Sequence, residues 1–391
     1  MDYGNCVNTV LHWNYRRLTE FPLEHLQGEE DEITDIYLKE NLISRIPSDI
    51  GKLNNLESLY LSGNDITELP REISKLTRLK CLDVSGNRLR YIPDEIGEVR
   101  NLKFLILDEN EIRELPLRIA ELRMLRYLSV CDNKLQWLPQ RPVYNYHHCE
   151  FKFWRNPDLK AIPFSLWYHM FRGQQTRSFN IGCLTYSPLR QEPYHAGRCV
   201  LQLNQDIDCQ IDITFPTKYK HILNKNLVTA PPLFELCKRK MYEIISEAAK
   251  KLTKEPPSIY SDISFDAINN NNQYNNKNYN LDSDLQKENN NVYRFFSNNR
   301  EGYHVPANII EKYFYYLPKV MKDDLCNGPV SRCENVFCKK PIFDFVYLEF
   351  CIEKIILIED TEDIILSASF CSKSCAELWK TGKSLLNWKF V

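Results

Sequence analysis

Apolar residues in the first part of the chain follow a long, regular interval. Leu56, Leu59 and Leu61 are followed by Asn64, Ile66 and Leu69-Pro70. Leu79, Leu82, Val84, Asn87, Leu89 and Ile92-Pro93 repeat the pattern, as do Leu102, Leu105, Leu107 and Asn110, then Leu125, Leu128, Val130 and Asn133. Asn41, Asn64, Asn87, Asn110, Asn133 and Asn156 stand 23 residues apart throughout, and Pro47, Pro70, Pro93, Pro116 and Pro139 keep the same step. Each unit predicts a short strand with its leucines inward and an Asn inside the turn that satisfies buried backbone groups. A short helical stretch after the Pro, such as Arg71–Leu76, closes the coil. A unit of this size cannot bury its apolar side alone, so stability must come from stacking.

This is the leucine-rich repeat pattern, and it predicts an α/β solenoid in a horseshoe arc. Residues 1–27 read as an amino-terminal cap holding a degenerate first repeat with two extra residues, from Leu11-His-Trp-Asn14 to Phe21-Pro22. The repeats occupy 28–165, and Phe151, Phe153, Asn156 and Ile162-Pro163 mark a degenerate last one. Residues between the strand leucines fall in columns on the concave face. Tyr37, Tyr60, Asp83, Phe104, Ile106, Tyr127 and Trp154 are the candidates for contact with a protein partner there, because interfaces favour exposed aromatics. The alternative is that they pack against the carboxy-terminal half of the same chain.

The second half has a different rhythm. Residues 166–230 read as a mixed strand connector, with period-two alternation in Cys199–Leu203 and Cys209–Ile213. Residues 231–255 predict an amphipathic helix carrying Leu233, Leu236, Cys237, Met241, Ile244, Ile245, Ala248 and Leu252. A low-complexity insertion spans 256–303; eleven of the twenty-three residues from Asn269 to Asn291 are Asn, which predicts disorder. Residues 304–325 resume a helical pattern, broken at Leu317-Pro318.

Residues 326–391 predict a small α+β module of zinc-ribbon or treble-clef type. Cys333 and Cys338 precede an apolar strand-rich run, and Cys371 and Cys375 precede a helix start at Ala376-Glu-Leu-Trp379. Two thiolate pairs meeting across a hairpin make a tetrahedral sulfur site, which selects zinc and leaves no ligand position for substrate. Cys326 and Cys351 are reserve ligands. Unliganded buried thiols are the alternative.

Composition narrows the function. Fifty Lys+Arg against fifty-two Asp+Glu gives no electrostatic case for nucleic acid. No apolar run reaches the roughly 18 residues a membrane span needs, and Met1–Leu11 lacks the basic start of a secretory leader. Fourteen Cys scattered over 391 residues fit a reduced, cytoplasmic or nuclear protein better than a disulfide scaffold. Thr381-Gly-Lys-Ser384 lacks the first Gly of a phosphate loop, and His147-His148 has no partner at metal spacing. With no nucleophile placed beside a base, a non-enzymatic protein is expected.

Two resemblances sharpen this reading. The tail, with Leu317-Pro318, Cys333/Cys338, Pro341-Ile-Phe343 and Phe370-Cys-Ser-x-x-Cys375, is similar to that of leucine-rich repeat-containing protein 28 and the related protein 58. Asn156-Pro-x-Leu159 to Leu166-Trp-Tyr168 and Pro232-Leu-x-Glu-Leu236 add to it. Leu233, Cys237 and Met241, at i, i+4 and i+8, resemble the first half of a suppressor-of-cytokine-signalling box. Leu317, Pro318, Met321 and Leu325 resemble its second half, with Asp324 in place of the aromatic. That resemblance implies elongin C at the first element, cullin 5 at the second, and a role as substrate receptor of a ubiquitin ligase. The alternative is a signalling scaffold without ubiquitin machinery.

Overall fold

The computed structural model describes residues 10–26, 28, 30–122, 124–140, 149–167, 198–202, 210–215, 221–223, 231–252, 310, 312, 314–356 and 361–390. The chain divides into two units: Met1–Arg239 with Pro329–Val391, and Lys240–Gly328. The expected insertion at 256–303, His147-His148 and most of the 166–230 connector lie outside the described residues.

In the first unit, β1 (Val10–His12), β2 (Asp35–Tyr37), β3 (Ser58–Tyr60), β4 (Cys81–Asp83), β5 (Phe104–Ile106), β6 (Tyr127–Ser129) and β7 (Glu150–Lys152) form one parallel sheet in chain order. Their register matches the repeat step, with Asp35, Ser58, Cys81, Phe104, Tyr127 and Glu150 side by side. Each return leg makes a 3-10 turn, at Ser48–Lys52, Arg71–Lys75, Asp94–Glu98 and Leu117–Glu121, entered from Pro47, Pro70, Pro93 and Pro116. The ring fixes φ near the value such a turn needs, and its missing N–H falls where no partner exists.

The asparagines hold the turns. Asn87 accepts from the Ile66 N–H at 3.0 Å and donates to the carbonyls of Leu61, Val84 and Ser85 at 3.0, 3.0 and 3.1 Å. Asn64, Asn110 and Asn156 have equivalent partners. At the amino-terminal end Asn41 accepts from Arg16 and Leu18, so the degenerate first repeat joins the ladder despite its two extra residues. In one unit Leu56, Leu59, Leu61, Ile66, Ile73 and Leu76 have no exposed surface. Burial of each stabilises by about 1.5–3 kcal/mol before chain entropy is counted.

The carboxy-terminal end departs from the expected cap. Ile162–Pro163, read as the close of the last repeat, instead forms β8. It is followed by the single turn α1 (Phe164–Leu166). Beyond it come β9 (Arg198–Gln202), β10 (Gln210–Thr214), β11 (His221–Leu223) and helix α2 (Leu233–Leu252). Two short strands, β12 (Ser331–Arg332) and β13 (Pro341–Ile342), precede the long hairpin of β14 (Phe345–Ile356) and β15 (Thr361–Phe370). β8 pairs in parallel with β15, giving a sheet in the order β11-β14-β15-β8. Gln140 donates to the Ser367 hydroxyl at 2.6 Å, and one apolar core runs from Phe21 to Leu386. The α+β module therefore closes the open end of the repeats, where an exposed apolar layer would otherwise face water.

Candidate protein-binding face and metal centre

The outward residues of the seven-stranded sheet form two apolar groups. At one end His12 stacks on Tyr37 and Tyr37 on Tyr60, each pair with ring centroids 4.7 Å apart. Lys39 lies over the Tyr60 ring at 4.9 Å. Burial, with a hydrogen bond to Cys81, raises the Tyr60 phenol above its ordinary range. At the other end Phe104, 43% exposed, neighbours Tyr127 across β5 and β6, with Ile106 two residues on and half-buried. Trp154 is half-buried and tilted against Phe153.

Asp83, offered as a contact residue, separates these groups and is itself buried. It accepts from the Ser85 N–H and hydroxyl at 3.1 and 2.7 Å and pairs with Lys39 at 3.5 Å. Its carboxylate is spent inside the fold, so the candidate contact residues fall into two patches. Ser129 is buried likewise, donating to Asp108 at 2.6 Å.

In the module, the loop between β12 and β13 carries Cys333 and Cys338. Helix α3 (Lys319–Asn327) lies in the second unit; Cys371 follows β15 directly, and Cys375 sits in the first turn of α4 (Lys373–Lys380). Ser372 caps that helix by accepting from the Cys375 N–H at 3.3 Å, which fixes the spacing of the last two sulfurs. The four Sγ atoms lie within 4.8 Å of one another; Cys338–Cys371 is 3.4 Å and Cys371–Cys375 is 3.7 Å. A tetrahedral site with metal–sulfur bonds of about 2.3 Å has edges of about 3.8 Å. The cluster fits that figure and could hold a metal ion such as zinc. Hydrogen bonds from Cys333 and Cys371 pull the Cys338 thiol well below its usual range, while the same contacts push Cys333 up. The reserves do not join them: Cys351 is buried on β14, pushed up to about 12 chiefly by burial, and Cys326 lies in α3.

A family profile described as a leucine-rich repeat region matches residues 35–101. The chain carries a leucine-rich repeat region. Among solved structures, a leucine-rich repeat protein of Leptospira interrogans is 32% identical over 35% of this chain, with a TM-score of 0.30. The match covers 35% of that chain, so this protein spans about a third of its length. The ectodomain of the Arabidopsis thaliana receptor kinase SOBIR1 is 26% identical over 32% of this chain and 70% of its own, with a TM-score of 0.29. The repeat domain of the type III effector XopL is 23% identical over 40% of this chain and 56% of its own, with a TM-score of 0.35. No curated protein matches.

Beyond the leucine-rich repeat region, the helical site residues divide. In α2, Leu233 is 76% exposed and Phe234, Leu236 and Cys237 are also exposed, while Met241 is intermediate. In the first two turns the buried positions are Glu235, Lys238 and Arg239, which the apolar periodicity does not single out; further along, Tyr242 and the expected Ile245 are buried. Glu235 accepts from the backbone N–H groups of Phe343 and Asp344 at 3.0 and 2.9 Å and from Arg239 at 2.6 Å. Arg239 donates to the carbonyls of Cys371 and Phe345 at 3.1 and 3.0 Å, and Lys238 pairs with Asp344. The Glu235–Arg239 spacing of four was the available signal. In the second unit Pro318 starts α3 and is exposed, and Leu317 is half-buried. Met321 and Leu325 are buried, so they are core positions rather than the open contacts expected of a cullin-binding motif.

Proposed function

We propose that this protein is a non-enzymatic interaction protein that holds a protein partner on the exposed face of its repeat sheet. The observation that carries the reading is the group of exposed Phe104 with half-buried Ile106 and Tyr127, aromatic and apolar side chains side by side on the sheet. Burying such a cluster against a partner is the usual source of strong local contributions to affinity. In this reading the four cysteines hold one structural zinc, because four sulfur ligands leave no open position. The free thiols elsewhere fit a cytoplasmic or nuclear setting. The test is Phe104→Ala with Tyr127→Ala. Partners captured by the wild-type chain should be weakened by about tenfold or more at an unchanged melting temperature. Undiminished capture overturns the proposal.

A specific observation favours a finer reading as substrate receptor of a ubiquitin ligase, in line with the resemblance to a suppressor-of-cytokine-signalling box. Helix α2 directs Leu233 and Cys237 outward while its charged side is anchored. An apolar helix stripe of that spacing suits a groove on elongin C. For cullin 5, Leu317 and Pro318 remain as contacts. Titration of purified elongin C against the wild-type chain and Leu233→Asp with Cys237→Asp tests this. Saturable binding lost in the variant supports it; no binding to the wild type leaves a signalling scaffold.

A further inference from the structure

The reading of the sheet as a partner-binding face underlies a further step. One residue before each outward position Cys81, Phe104 and Tyr127 stand Lys80, Lys103 and Arg126, again 23 apart. Backbone bonds fix them as neighbours: the Lys103 N–H donates to the Lys80 carbonyl and the Arg126 N–H to the Lys103 carbonyl, each at 2.8 Å. Adjacent strands lie about 4.8 Å apart, so three cations line roughly 10 Å of one sheet edge. Lys80 pairs with Glu57 at 2.6 Å. Among the described residues Lys103 and Arg126 have no acidic partner, and Arg126 is exposed.

The opposite edge is different. Asp83 is held by Ser85 and Lys39, Asp108 accepts from the Ser129 hydroxyl and the Cys131 N–H, and Asp132 pairs with Arg155. Its acids are satisfied internally, whereas on the first edge half-buried Lys103 and exposed Arg126, beside Phe104 and Tyr127, have no acid among the described residues. We infer that the face takes an extended protein segment with anionic side chains flanking an aromatic or leucine. The anionic groups run along Lys103 and Arg126, and the apolar residue sits on Phe104, Ile106 and Tyr127. In an extended segment, same-side groups repeat about every 7 Å, within reach of two such flexible cations. A net charge of −2 gives the chain no wide basic surface of the kind nucleic acid needs.

The experiment selects 12-residue peptides from a displayed random library on the full chain, then measures their affinity by fluorescence anisotropy. The expected winners carry two or more Asp or Glu around an aromatic or leucine. Lys103→Glu with Arg126→Glu should weaken them at least tenfold, and added salt should weaken them too. A phosphoserine-for-glutamate exchange in the same peptide distinguishes phosphate from carboxylate as the anion. Winners without acids, weakened by Phe104→Ala but not by charge reversal, overturn this inference and leave the binding face standing. Winners indifferent to Phe104→Ala, or no winners, overturn both. A single-stranded RNA dodecamer bound more tightly than any peptide overturns the choice of partner.

Discussion

Asn87 shows how much a single side chain holds. Four hydrogen bonds meet on it in a buried turn, so Asn87→Ala leaves backbone donors and acceptors unpaired. The expected loss is about 2–4 kcal/mol in urea unfolding. Asp65→Asn, which removes only the surface pair with Arg88, should cost under about 1 kcal/mol. Gly97 makes a second contrast. A methyl there would collide with the Arg118 backbone carbonyl of the next turn, whereas at Gly51 it meets the movable end of Lys75 first. Gly97→Ala should therefore lower stability by about 1–3 kcal/mol and Gly51→Ala by clearly less. The asparagine ladder was legible in the sequence because six asparagines at one 23-residue step have one physical meaning. The fate of Asp83 was not. Its column position marks it as outward, and only the placement of Ser85 and Lys39 turns it inward.

At the level of elements, the first turns of α2 reverse the ordinary logic of an amphipathic helix, while Tyr242 and Ile245 further along are buried. Periodicity reads Leu233 and Leu236 as part of a buried stripe, but at these first turns the module offers the helix two backbone N–H groups and two carbonyls. Glu235 and Arg239 match those groups, so the charged side goes in. Glu235→Ala strands Arg239 in the interior. It should cost about 3 kcal/mol or more and speed hydrogen exchange at Phe343 and Asp344. Because Arg239 also holds the carbonyl of Cys371, the cysteine cluster and the helix anchor share a strand end. Metal analysis should find about one zinc per chain, lost in Cys371→Ser. A folded, metal-free wild-type chain would contradict the site. The cysteine grouping was legible from spacing, although the helix expected to start at Ala376 begins at Lys373 and takes in Cys375. Thiol labelling offers an independent check: exposed Cys237 should react fast, while Cys149 and Cys351, each pushed up to about 12 chiefly by burial, should stay protected until unfolding.

Over the repeats and the module together, the sequence suggests two separate pieces, and the fold joins them. β8 reads as the end of a repeat because Ile162-Pro163 keeps the repeat's own residue types, yet it completes the sheet of the module. Only a partner strand just over 200 residues away decides its role, and no local pattern carries that information. Removing residues 329–391 should therefore expose the end of the repeat core and yield aggregation rather than a stable shorter solenoid. The binding role of the repeat face is tested most directly by placing a photo-crosslinking benzoylphenylalanine at position 104 or, as a control, at position 95 in the 3-10 turn Asp94–Glu98 on the other side of the repeat. In cells that express the protein, illumination should give discrete protein adducts from position 104 and none from position 95. Equal adducts at both positions, or adducts at position 95 alone, would contradict the account.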